Sequence, residues 1–203
     1  MPPQRRAPRA AWLLALLAVS PAVRTLGADS SWRVARGDVR VACPMTVGGS
    51  FEAKTGAIQG TVTTGAAGAP LGGELSVDLA TLDTGIGLRN EHLKKNYLEV
   101  ERGQGFDHAV LSQIRLGDAD PQAIQGKTAF TGTFLLHGTT KPVSGQATIR
   151  RDGKDVRIEA SFPVSVSAFG IEKPQYLGVG VRDQVTVNVS LTASPAETAG
   201  AKP

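Results

Sequence analysis

The stretch GELSVDLATLDTGIGLRNEHLKKNY, Gly73 to Tyr97, changes its period halfway. In the first half Gly73, Leu75, Val77 and Leu79 alternate with Glu74, Ser76 and Asp78, the pattern of a strand with one buried face. After Thr84-Gly85 the spacing becomes helical. Ile86, Leu93, Tyr97 and Val100 then fall on one face, and Glu91 and Lys95 make a surface i,i+4 pair. Asp83 and Thr84 are candidate caps, and Gly103 to Phe106 ends the segment. The reading is a strand followed by one helix, Gly85 to about Val100.

Away from that helix, period-two alternation dominates. Val39, Val41 and Cys43 share a face of an early strand. Ile114 and Leu116 continue a pattern begun at Val110, and Phe130, Gly132, Phe134 and Leu136 form another. Val143, Gly145, Ala147 and Ile149 lead to Asp152-Gly153, a hairpin signal, with Val156, Ile158, Ala160 and Phe162 returning. Val185, Val187, Val189 and Leu191 make the last strand. Many short strands with one helix predict an all-β fold. Closing the sheet buries the single apolar face of each strand and removes the edges, which favours a barrel over a sandwich.

Both ends of the chain read differently from its body. Arg5, Arg6 and Arg9 precede the apolar run Ala10 to Val23, which is short for a membrane span. Small residues follow at Gly27 and Ala28. The pattern predicts a signal peptide over residues 1–28, with Ala22 as the alternative cleavage point. An uncleaved anchor is the competing reading, although Pro21 and Arg24 cut the run short. The barrel domain is then 29–193, and the small, polar residues 194–203 read as a disordered tail.

Charge and cysteine content narrow the function classes. The leader carries Arg5, Arg6, Arg9 and Arg24 and no acid, so removing those four of 22 basic residues leaves 18 against 18 acidic ones. A neutral domain leaves no electrostatic footprint for nucleic acid, and no polybasic run points to an anionic membrane surface. With Cys43 the single cysteine, no intramolecular disulfide forms, and the residue reads as a small buried hydrophobe.

No catalytic signature appears. There is no Gly-x-Ser-x-Gly, and Gly85-Ile86-Gly87 has Asn90 where a dinucleotide fingerprint needs its third glycine. His92, His108 and His137 lack metal-ligand spacing. His137 reads as a residue bonding within its own turn. No enzyme activity, cofactor or metal is expected. An enzyme using His92, His137 or Asp107 as acid or base is the weaker alternative.

Order and spacing add a resemblance that covers nearly the whole domain. The pieces are Pro44-Met45-Thr46-Val47-Gly48-Gly49-Ser50-Phe51, Leu75-Ser76-Val77-Asp78-Leu79, Arg89-Asn90-Glu91-His92-Leu93 and Tyr97-Leu98 leading to Phe106-Asp107. Gly132-Thr133-Phe134-Leu135, His137-Gly138-Thr139-Thr140-Lys141-Pro142-Val143, Phe169-Gly170-Ile171 and Val185-Thr186-Val187-Asn188-Val189 follow. Together they resemble the YceI-like, polyisoprenoid-binding family. The stretch VERGQG from Val100 to Gly105 departs from it, since many relatives have a shorter connection.

The resemblance implies an extended, antiparallel, eight-stranded lipocalin-like β-barrel with one packed helix and a periplasmic or secreted location. It also implies an apolar tunnel for a long-chain polyisoprenoid or isoprenoid quinone and, in some members, homodimers. After signal cleavage no stable membrane insertion is expected. Phe51, Leu75, Val77, Phe130, Phe134 and Phe169 are the candidate ligand-lining residues, and Arg89 and His92 the candidate head-group contacts. A barrel with a packed core, acting as a stress-response or protein-interaction module, is the alternative function.

Overall fold

A computed structural model of the chain describes residues 31–64, 71–117, 125–173, 175–176 and 179–196. The signal peptide read over 1–28 lies outside them, as do residues 197–203. The long strands run in chain order as β1 (Ser31–Pro44), β2 (Ser50–Thr55), β3 (Ile58–Thr63), β4 (Gly72–Asp78), β5 (His108–Leu116), β6 (Gly126–Leu136), β7 (Thr139–Asp152) and β8 (Asp155–Ser165). A two-residue pair, β9 (Gln175–Tyr176) and β10 (Val179–Gly180), precedes the last strand, β11 (Gln184–Pro195).

The sheet order is β11-β8-β7-β6-β5-β4-β3-β1-β2, and β11 also pairs with β1, which closes the ring. The result is an eight-stranded antiparallel barrel with β2 as an extra strand. β2 lies along Val39 to Pro44 of β1, while β3 meets Ser31 to Arg33 of the same strand. They amount to one wall strand broken at Gly56-Ala57. Closure leaves the inward faces of all strands in a shared interior, as the alternation requires.

β11 runs further than its sequence suggested. Ser194 and Pro195 pair with Arg33 and Trp32, so the ladder extends two residues into the stretch read as a tail. The Asp152-Gly153 turn forms as expected, with Asp152 opposite Asp155.

Two bulges reset the inward face. In β5 the register slips between Ser112 and Arg115, and Gln113 takes a positive φ of 50°. Ala109 and Leu111 therefore face inward before the bulge, and Ile114 and Leu116 after it. Val110 does not share their face, contrary to the simple alternation, because one extra residue inverts the parity. A second slip lies between Val34 and Arg36 in β1.

The helical segment is shorter and more broken than its period predicts. Helix α1 covers Gly87–His92, a wide turn follows over Leu93–Tyr97, and a tight turn covers Val100–Arg102. The amide of Leu98 donates to the carbonyl of Leu93, five residues back, at 2.9 Å. That wider winding brings Leu98 onto the side already held by Leu93 and Tyr97. Ile86 does not join them. It sits in extended backbone just before α1 and is 50 % exposed.

Asp83 and Thr84 do not cap α1 directly; they clip it through Asn90. The Asn90 amide donates to Asp83 Oδ1 at 2.7 Å, while its oxygen accepts from the Thr84 amide and hydroxyl, each at 2.7 Å. Asp83 and Lys54 exchange backbone hydrogen bonds of 2.8 and 2.9 Å, which fastens the clip to β2. The whole segment bridges β4 and β5, over the barrel end where β1 finishes and β11 begins.

Candidate functional site: an apolar cavity beneath the helix

The inner wall of the barrel encloses a cavity of about 170 Å3 at the helix end. β1 contributes Val39, Val41 and Cys43, β4 contributes Leu75 and Val77, and β11 contributes Val185, Val187 and Val189. Leu93, Tyr97 and Leu98 close it from the helical segment, with Ile171 and Val181 from the stretch before β11. Leu75, Val77 and Leu111 face inward yet are only half-buried, because they border a void instead of packed side chains.

Nearly every wall group is hydrocarbon. The Tyr97 hydroxyl and the Cys43 thiol are the polar side-chain groups among the lining residues. Such a wall can hold an apolar molecule by excluding water, worth about 25 cal/mol per Å2 of apolar surface buried. Among the described residues, no three His, Cys, Asp or Glu side chains converge as a metal site.

The six lining candidates separate by depth. Phe51, Leu75, Val77 and Phe134 stand on the cavity wall. Phe130 and Phe169 do not. Both are deeply buried, and they form the ends of an aromatic row: Phe130 lies edge-on to Phe162 at 5.9 Å, Phe162 to Phe134 at 5.5 Å, and Phe134 to Phe169 at 5.8 Å. Phe130 and Phe169 therefore support the wall from behind.

The two head-group candidates also part company. Arg89 lies with its guanidinium carbon 4.4 Å from the Phe51 ring centre, and Phe51 pairs with Cys43 across β1 and β2. A cation is thus stationed at the cavity mouth, held by its attraction to the ring face. His92 is exposed on α1, off the cavity wall.

Electrostatics at the mouth follow from this arrangement. Burial pushes the Cys43 thiol up to about 11, against the opposing pull of Arg89. An exposed thiol titrates near 8.5. The alkylation rate of Cys43 should therefore keep rising about tenfold per pH unit from pH 7 to 10. A rate that levels off below pH 9 would contradict this placement. Asp83 is held below the usual carboxylate range, chiefly by the Asn90 amide and then by the Gly85 N–H.

His137 braces the same end, but not within its own turn. Its Nδ1 lies 3.1 Å from the Phe169 carbonyl and its Nε2 3.1 Å from Glu99 Oε2. It also meets Phe106 edge-on at 4.8 Å. Both partner atoms are oxygens, one of the backbone and one of a side chain, so the ring ties the Phe169 turn to Glu99. Glu99, the residue just before the VERGQG connection, supplies this partner from left-handed backbone at φ 51°. Glu99 is held below the usual carboxylate range first by Arg102, whose guanidinium donates at 2.6 Å, and then by His137.

Several wall residues escaped the sequence reading. Leu82 and Leu98 lie outside any strand, and Ile171 and Val181 lie between β8 and β11. Their signal was apolar character in segments with too few residues to show a period.

Comparison with known proteins fits this architecture. The sequence matches the family model described as the YceI-like domain over residues 30–193. Curated proteins yield no match. A solved polyisoprenoid binding domain from Saccharophagus degradans, implicated in plant cell wall breakdown, superposes with TM-score 0.60 at 14 % identity, covering 81 % of this chain and 98 % of that one. BcnA of Burkholderia cenocepacia gives TM-score 0.60 at 18 % identity, over 77 % of this chain and 96 % of that one. A Campylobacter jejuni YCEI protein gives 0.52 at 17 %, over 69 % and 82 %. At such identities these structures speak to the fold.

Proposed function

Since this chain belongs to the YceI-like domain family across residues 30–193, we propose that it is an exported, non-catalytic carrier of an isoprenoid lipid. The observation that carries the reading is the unbroken hydrocarbon wall of the cavity beneath the helix. A prenyl chain has no hydrogen-bonding groups along its length, so it needs continuous apolar wall and little else. A relative of the same fold, from Saccharophagus degradans, is described as polyisoprenoid binding.

A polyisoprenoid or an isoprenoid quinone would place its chain against β1, β4 and β11. Its polar end would remain at the mouth beside Arg89. A quinone carbonyl or prenyl phosphate is the kind of acceptor a guanidinium receives. Export to the periplasm or beyond is supported by the basic, apolar and small-residue succession within residues 5–28. The competing reading, an interaction module with a packed core, has the void against it.

Cys43 gives a test that needs no label on the lipid. It stands on the wall next to the mouth, so an occupied cavity covers it. Loading the protein with farnesol should slow alkylation of Cys43 at pH 9 by about tenfold or more, the effect of burying a reactive thiol. An unchanged rate with every prenol and prenyl quinone tried would count against lipid in this cavity.

A further inference from the structure

The barrel holds two cavities divided by a layer of side chains. The second, about 330 Å3, lies at the end away from the helix and is lined by Trp32, Val62, Leu116, Ile149 and Ile158 among others. The strands show the division directly. On β11, Val185 to Val189 border the helix-end cavity and Ala193 borders the far one, while Leu191 between them borders neither and is 4 % exposed. On β6, Phe134 and Leu136 border the helix-end cavity, and Phe130, also 4 % exposed, borders neither.

The layer is tight because two glycines draw the walls inward. Gly145 lies opposite Phe130 in the ladder. A Cβ on it would fall 2.7 Å from both Phe130 Cε1 and Phe162 Cβ. Gly37 lies opposite Leu191, where a Cβ would strike Ile58 Cγ2. Backbone approaches the buried side chains here more closely than any other residue allows.

We propose that this layer, through Phe130, sets the length of prenyl chain that enters the protein. The inference rests on the isoprenoid reading above and specifies which part of the ligand is enclosed. The helix-end cavity, about 170 Å3, is close to the roughly 150 Å3 engineered cavity that holds one benzene. It therefore takes about one or two five-carbon units of a chain. The next unit would have to displace Phe130, which is wedged between Phe162 and Gly145. A longer chain stays outside the mouth beyond that point, and extra units add no buried surface.

The test compares geraniol, farnesol and geranylgeraniol, which grow by one isoprene unit each. It uses the full chain carrying Trp12→Phe, so that Trp32 at the far cavity is the sole tryptophan. Equilibrium dialysis should show affinity that stays flat from geraniol through farnesol to geranylgeraniol. Geranylgeraniol brominated on its terminal unit should leave Trp32 emission unquenched. With Phe130→Ala added, geranylgeraniol should bind at least about tenfold tighter than farnesol, from the added buried chain, and the brominated form should quench Trp32. Phe130→Leu, which keeps more of the packing, should give the same order with a smaller gain. Equal quenching of Trp32 before and after the Phe130 substitutions would overturn the length limit while leaving lipid binding in place. Failure of all three prenols to bind any of these proteins would overturn the lipid reading and this inference together.

Discussion

Val77→Trp is expected to empty the protein of lipid while leaving the barrel folded. Val77 lies on β4, paired with Ile58 on β3 and Ala109 on β5, with its side chain on the cavity wall. An indole there projects into the void instead of into packed atoms, so the overpacking penalty of about 1–3 kcal/mol seen in filled cores is largely avoided. The space it takes is the space a ligand needs. Displacing about 80 Å2 of apolar contact removes roughly 2 kcal/mol, or about thirtyfold in Kd. The outward neighbour supplies the control: Ser76→Trp on the same strand should load lipid like the unchanged protein. Val77→Trp with a full lipid load and an unchanged melting temperature would place the ligand elsewhere.

Gly145→Ala is expected to be the more damaging to stability, although it adds a single methyl group. Its Cβ would meet the Ser161 carbonyl oxygen on β8 as well as Phe130 and Phe162. A backbone oxygen and a Cβ have no rotamer to escape into. Relief requires β7 and β8 to spread, which strains a ladder running from Gln146–Ser161 to Asp152–Asp155. The conformational benefit of alanine over glycine in a strand is about 0.5–1 kcal/mol, too little to offset a clash of about 3 kcal/mol. For a domain of this size the net loss should lower Tm by roughly 5–10 °C. A variant melting at or above the parent temperature would show that the dividing layer is looser than its distances indicate.

The contrast between these two positions shows what the sequence could reveal. Both lie on inward faces, and alternation alone identified those faces for β1, β4, β6, β7, β8 and β11. Face is a matter of parity; depth along the barrel is a matter of register among eight strands. That is why Phe130 and Phe134, four residues apart on one face, have different roles, one behind the wall and one upon it. Nothing local distinguishes them. Closure of the ring, the β1–β11 pairing, is likewise a contact between the two ends of the domain.

Local departures from regularity were hidden for a different reason. The bulge at Gln113 inverts the face of β5, and neither Ser112-Gln113 nor its neighbours carry a glycine to announce it. The helix was legible as a helix, yet its wide turn at Leu93–Tyr97 and its exposed Ile86 depend on how the segment lands on the barrel end. Val47, Ile86 and Leu88 are the large exposed apolar residues among those described. Val47 lies in the turn between β1 and β2, and the other two at the start of the helical cover. Arg89 emerged from its place in the family pattern, and its seat on Phe51 follows from β2 lying beneath α1.

The central claim, that the barrel carries an isoprenoid lipid, is tested most directly by what the protein holds when it leaves its native host. Organic extraction of protein purified without detergent, followed by mass spectrometry, should recover a prenyl lipid in near-stoichiometric amount. Protein that yields none, and that stays empty after incubation with prenols and prenyl quinones, would contradict the account.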